Sequence, residues 1–163
     1  MLCGAVTRVE KLWLGGVHTY SVADLVVAAE VMAVAKEVAI DLPYLPDSLT
    51  EQVWELVGEK CGQVELLGLQ YGRVGTGCEG VVGRLVTRVG RAELRYVEIT
   101  SFDLFAGGIE EGLGVDGGRC SEIQFSGSTL DKHRAEVAGL AARIGWRVTE
   151  DKNSFGDRIV IKK

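Results

Sequence analysis

Gly75-Thr76-Gly77-Cys78-Glu79-Gly80-Val81-Val82-Gly83-Arg84-Leu85-Val86-Thr87-Arg88-Val89-Gly90 is the stretch on which the fold turns, because it supports two incompatible readings. In one, Gly75, Gly77 and Gly80 fit G-x-G-x-x-G, a loop that lets the backbone approach a pyrophosphate while the following helix offers free N–H groups. The apolar positions Cys78, Val81, Val82, Leu85, Val86 and Val89 then recur at helical spacing, and the strand candidate Val64 to Tyr71 precedes them. In the other, Gly90-Arg91 is the two-residue turn of a hairpin that sets Arg88 opposite Glu93 and Leu85 opposite Tyr96. Gly72-Arg73-Val74 separates the strand from the motif, and Gly80, Gly83, four valines and a threonine make a poor helix. The hairpin or a plain loop is therefore the expected form.

Outward from that stretch, Leu94 to Thr100 reads as a strand, and the run GGIEEGLGVDGG from Gly107 to Gly118 as a mobile glycine loop. Ile123 and Phe125 alternate with Glu122 and Gln124 as in a half-buried strand. A helix with Leu130, Val137, Leu140 and Ile144 on one face runs from Thr129 to Gly145, and a hairpin around Asn153 to Asp157 follows. Toward the N-terminus, a strand through Val9 and Leu14 ends at Gly15-Gly16. Ser21-Val22-Ala23-Asp24 is a capping box for a helix running to about Ile40, with Glu30, Glu37 and Asp41 as its single polar stripe. Ser48-Leu49-Thr50-Glu51 caps another helix that stops near Cys61-Gly62. No internal repeat or linker stands out, so 1–163 reads as a single domain.

Composition narrows the function classes. The chain has 163 residues, 25% charged, and a net charge of −5, which argues against non-specific nucleic-acid binding. Only the last stretch, 129–163, is basic, with 8 cationic and 5 acidic residues. Its helix and hairpin have the outline of a winged DNA-binding unit, but the strand and glycine loop before them do not fit one. The apolar run Leu25 to Ala35 is broken by Glu30, so no membrane span is expected, and the opening residues lack a secretory pattern, which makes the cytoplasm the expected location. Cys3, Cys61, Cys78 and Cys120 contain no C-x-x-C pair. Buried thiols are expected, without a metal site. One asparagine and four glutamines give the chain a thermophile-like shortage of amides.

The fold expected from these elements is α+β, with a mixed or mainly antiparallel sheet covered by about three helices; the alternative is a doubly wound α/β fold. They differ in whether 78–89 is extended or helical. No nucleophile, base and orienting group identify themselves. His133 on the last helix shows no partner, His18 is weaker still, and Cys78 beside Glu79 is a poor nucleophile. Asp103, Glu110, Glu111 and Asp116 read as a solvated acidic loop. The leading expectation is thus a partner- or ligand-binding protein with no catalytic set, homo-oligomeric so as to cover its apolar first helix. Its cofactor is unknown. The second is a nucleotide or phosphoester enzyme built on Gly75, Gly77 and Gly80, with Arg73 or Arg84 on the phosphate and Glu98 or Asp103 near the sugar or a metal. Arg73, Arg84, Arg88, Arg91 and Arg95 suit a small anionic ligand in either fold.

Overall fold

The computed structural model describes residues 8–16, 19–45, 50–114, 118–153 and 156–163. Among them the order is β1 (Val9–Leu14), α1 (Val22–Met32), β2 (Ala35–Asp41), α2 (Glu51–Lys60), β3 (Leu66–Val74), α3 (Glu79–Arg88), β4 (Arg91–Ile99), α4 (Phe102–Leu113), β5 (Glu122–Ser126), α5 (Ser128–Ile144), β6 (Arg147–Asn153) and β7 (Gly156–Lys162). The ambiguous stretch is a helix, so the expected hairpin is overturned. Leu85 and Tyr96 are not cross-strand partners; Leu85 lies on α3 and Tyr96 on β4. Propensity loses here to packing. Val81, Val82, Leu85 and Val86 are buried, and Gly83, which weakens α3 as an isolated helix, is one its neighbour needs.

That neighbour is α4, which occupies most of the expected glycine loop. A Cβ on Gly83 would overlap the carbonyl of Phe105, one on Gly108 the carbonyl of Gly80, and one on Gly112 the side chain of Thr87. The two helices thus touch backbone to backbone. Ser101 starts α4 by accepting a hydrogen bond from the Leu104 N–H at 3.4 Å. Asp103, Glu110 and Glu111 accordingly lie on a helix, and Asp116 falls outside the described residues.

The first helix is shorter than expected. Its capping box forms, with the Asp24 N–H donating to the Ser21 hydroxyl at 3.1 Å and the Ser21 N–H to the Asp24 carboxylate at 2.8 Å. It ends at Met32, however, and Ala35–Asp41 is a strand, so Glu37 and Asp41 belong to the sheet. Alanines, a lysine and a glutamate, with no glycine or proline at the break, conceal that change of period. The second capping box at Ser48 lies outside the described residues, and Thr50 caps α2 without a side-chain hydrogen bond.

Strand order is β1-β2-β3-β4-β5-β7-β6. β1 to β5 are parallel neighbours, whereas β7 runs antiparallel to both β5 and β6. The sheet is mixed, but parallel pairing dominates it, and five helices rather than three attend it; the class is α/β, not α+β. It is not doubly wound either. Right-handed crossovers between strands taken in sequence order place every helix on one face, and consecutive helices from α1 to α5 pack on one another. Leu67, Leu69, Leu94, Ile123, Phe125, Ile159 and Ile161 fill that covered face against Leu85, Phe105, Ile109, Leu130 and Leu140. The opposite face carries Lys11, Trp13, Glu37, Ala39, Gly68, Gln70, Glu93 and Gln124 and is bare among the described residues.

The two adjacent glycines of α4 separate packing from propensity. Gly108→Ala is expected to cost about 3 kcal/mol, the upper end for overpacking, whereas Gly107, which has nothing within 4 Å of an added Cβ, should gain about 0.5–1 kcal/mol as alanine. Urea unfolding of both variants checks this, and equal effects would refute the contact.

Candidate functional site

The bare face is interrupted where β3 and β4 lie side by side. Tyr71 (φ 62°) and Tyr96 (φ 54°) both adopt the left-handed conformation, which bulky residues rarely enter. Register passes from Gln70 opposite Arg95 to Gly72 opposite Val97 across them. Each tyrosine reverses the alternation of its strand: Leu69 and Val74, then Leu94, Val97 and Ile99, are the buried positions. Arg73 and Glu98 are turned onto the bare face as a result. The two rings stack, with centroids 5.9 Å apart and planes 14° from parallel. The Arg95 guanidinium lies 6.0 and 5.9 Å from the Tyr71 and Tyr96 ring centres. A cleft of about 640 Å³ opens beside them, lined by Tyr71, Arg73, Tyr96, Glu98, Ser128 and Lys132.

β4 needs help to continue past the bulge, because β5 pairs with it only as far as Ser126 opposite Arg95. Thr129, fully buried, takes over: its hydroxyl accepts from the Val97 N–H at 2.6 Å and donates to the Val97 carbonyl at 2.9 Å. Gly127, at φ +65°, makes the turn into α5 and lies so close to the Tyr96 ring that a Cβ would strike it.

Of the expected site residues, Arg73 and Glu98 are brought together, 3.4 Å apart and both exposed. Arg84 is elsewhere, among Glu51, Glu55 and Glu111 of the helix layer. Gly80 serves the α3 to α4 contact. Gly75 and Gly77 form the turn before α3, where the Cys78 N–H donates to the Gly75 carbonyl at 2.9 Å. The Gly77 N–H donates to the carboxylate of Glu79 at 2.8 Å, and Glu79 is buried. A negative side chain of the protein itself thus occupies the position where the motif would place a phosphate. Tyr71, Tyr96, Ser128 and Lys132 did not stand out in the sequence. The available signal was a pattern, Leu-x-Tyr-x-x-(Val/Ile), in Leu69 to Val74 and again in Leu94 to Ile99.

The other expected groups have local explanations. His133 does have a partner: its Nδ1 is 2.9 Å from Glu136, its ring packs on Phe102 at 5.0 Å, and its non-helical backbone (φ −125°) kinks α5. Burial pushes the Cys61 thiol up to about 12 and Cys120 to about 11, and burial followed by the nearby Glu51 and Glu79 also raises Cys78. These thiols are poor nucleophiles near neutral pH. In the basic C-terminal region, Arg134 pairs with Glu150 and Asp157, and Arg143 with Glu110. No helix among the described residues is long and apolar enough to cross a membrane. Compared with protein-family models, curated proteins and solved structures, the chain has no match.

Thr129→Val, nearly isosteric, should cost about 2–4 kcal/mol by leaving the Val97 N–H and carbonyl unsatisfied. Thr129→Ser, which keeps the hydroxyl and loses one methyl, should cost only about 1 kcal/mol. Chemical denaturation of the two variants distinguishes a hydrogen-bonding role from a packing one.

Proposed function

We propose that this is a non-catalytic binding protein whose ligand is small, planar and anionic, seated in the cleft at the C-terminal ends of β3 and β4. One observation carries the reading: two neighbouring tyrosines hold a backbone conformation that costs about 1–3 kcal/mol each, and the result is a pair of stacked, half-exposed rings. Such strain clusters at ligand sites and clamps. The carboxyl ends of parallel strands are also where open α/β sheets receive ligands. Stacking on tyrosine selects a planar group. Arg95 and Lys132 select a negative charge, while Arg73 and Glu98 largely neutralise each other. The cleft is built to hold rather than to transform. Phosphoester chemistry at Gly75 to Gly80 is the weaker reading, since Glu79 opposes an anion there.

Self-association belongs to the same proposal and is supported by Val26 and Val27, 42% and 67% exposed on α1. The cytoplasm is the proposed location, in keeping with buried Cys61 and Cys120 thiols.

A thermal-shift panel of mononucleotides, dinucleotides, aromatic carboxylates and sugar phosphates tests the reading. A ligand at 100 times its dissociation constant stabilises the fold by about 2.7 kcal/mol. Planar anions should shift the transition and sugar phosphates should not. Tyr71→Gly, which relieves the left-handed strain, should retain stability within about 1 kcal/mol while losing the shift. If no planar anion acts, the proposal fails.

A further inference from the structure

We propose that the bare sheet face carries a second binding site, for an aliphatic polyamine, in the trough between Trp13 and Glu93. The strand register builds the trough: Trp13, Ala39, Gly68 and Glu93 are lateral neighbours across β1 to β4. Ala39 and Gly68 form a floor with almost no side chain. Lys11, Glu37 and Leu66 border it on one side and Gln70 on the other, around a cavity of about 500 Å³.

Gly68 is the informative floor residue. A Cβ there would meet only the Cβ of Ala39 at 4.0 Å, an ordinary contact, and the residue has no positive φ. The fold therefore does not require glycine at this position, although glycine inside a strand costs stability. A strand glycine that packing does not demand marks a place where something else approaches the backbone.

The charge of the trough identifies what approaches. Glu37 and Glu93 enter no ion pair with the described residues, and Lys11 is the one cation in the lining. At the Gln70 end of the same face Asp41, only 7% exposed, accepts from the Trp13 Nε1–H at 3.1 Å and the Gln70 Nε2–H at 2.6 Å. Both donors are neutral, so the negative charge of Asp41 is not cancelled, and its hydrogen bond fixes the indole, which is 56% exposed. An indole face beside carboxylates recognises organic cations. Arg91 and Arg95 also lie on β4, but the Arg95 guanidinium is directed to the tyrosine rings.

The spacing suits an extended cation. Glu37 and Glu93 lie two strands apart, roughly 10 Å between backbones, which leaves room for two separate ammonium groups. A flexible chain with separated ammonium groups can lie along the floor, with one nitrogen at Glu93, another near Glu37 and its methylenes against Trp13 and Leu66.

Calorimetric titration of the full chain with spermidine at low salt tests this, with Mg²⁺ at matched ionic strength as the control. Spermidine should bind and Mg²⁺ should not compete. Gly68→Val fills the floor and should keep or raise the unfolding temperature while weakening spermidine binding about tenfold or more; Glu93→Gln, an unpaired surface substitution, should weaken it by about as much. Neither variant should alter the response of the tyrosine cleft to planar anions, so the two sites succeed or fail separately. Absence of spermidine binding, equal competition by Mg²⁺, or unchanged affinity in folded Gly68→Val would each overturn the proposal.

Discussion

Parallel strands can follow one another in sequence order only if the helices joining them fit side by side in one layer, and the tightest joint in that layer is the backbone contact of α3 with α4. Gly83, Gly108 and Gly112 set that distance. Wider spacing there would part the helices above β3 and β4, the two strands with the longest register in the sheet. The tyrosine pair lies on those same strands, toward their C-terminal ends.

How much of this was legible depended on whether the signal was local. The capping box at Ser21, the alternation at Ile123 and Phe125, the apolar stripe of α5 with left-handed Gly145 after it, and the last hairpin all follow from short-range chemistry and were read from sequence. α3 and α4 were not. Their glycines lower helix propensity one residue at a time, and their compensation comes from each other, across more than twenty positions. β2 was lost because Ala35-Lys36-Glu37 suits a helix as well as a strand. In the site, Arg73 and Glu98 were found through an argument about a cofactor loop, one of whose N–H groups, that of Gly77, donates to Glu79. Tyr71 and Tyr96 carried only the repeated Leu-x-Tyr-x-x-(Val/Ile) pattern, which does not announce their conformation, because a non-glycine residue at positive φ is imposed by its surroundings.

The bare face follows from the same topology. Parallel sheets usually bury both faces, and their strands are then continuously apolar. Here each parallel strand alternates, with residues such as Glu37, Gln70 and Glu93 on the uncovered side, so the sheet is written as a one-sided layer. A one-sided layer presents a broad, regular surface whose chemistry can vary without touching the core. The tyrosine cleft and the trough use different regions of it.

The reversal at β7 bears on how far such a sheet can extend. Through β5 every strand offers its neighbour the same direction, and a further βα unit could in principle join the series. β7 breaks that polarity by running antiparallel between β5 and β6, and β6 on the outer edge carries Arg147, Glu150 and Lys152. Charged edges discourage pairing with another strand. The terminal hairpin therefore acts as an end stop. It closes the parallel series on one side, as capping units close a solenoid.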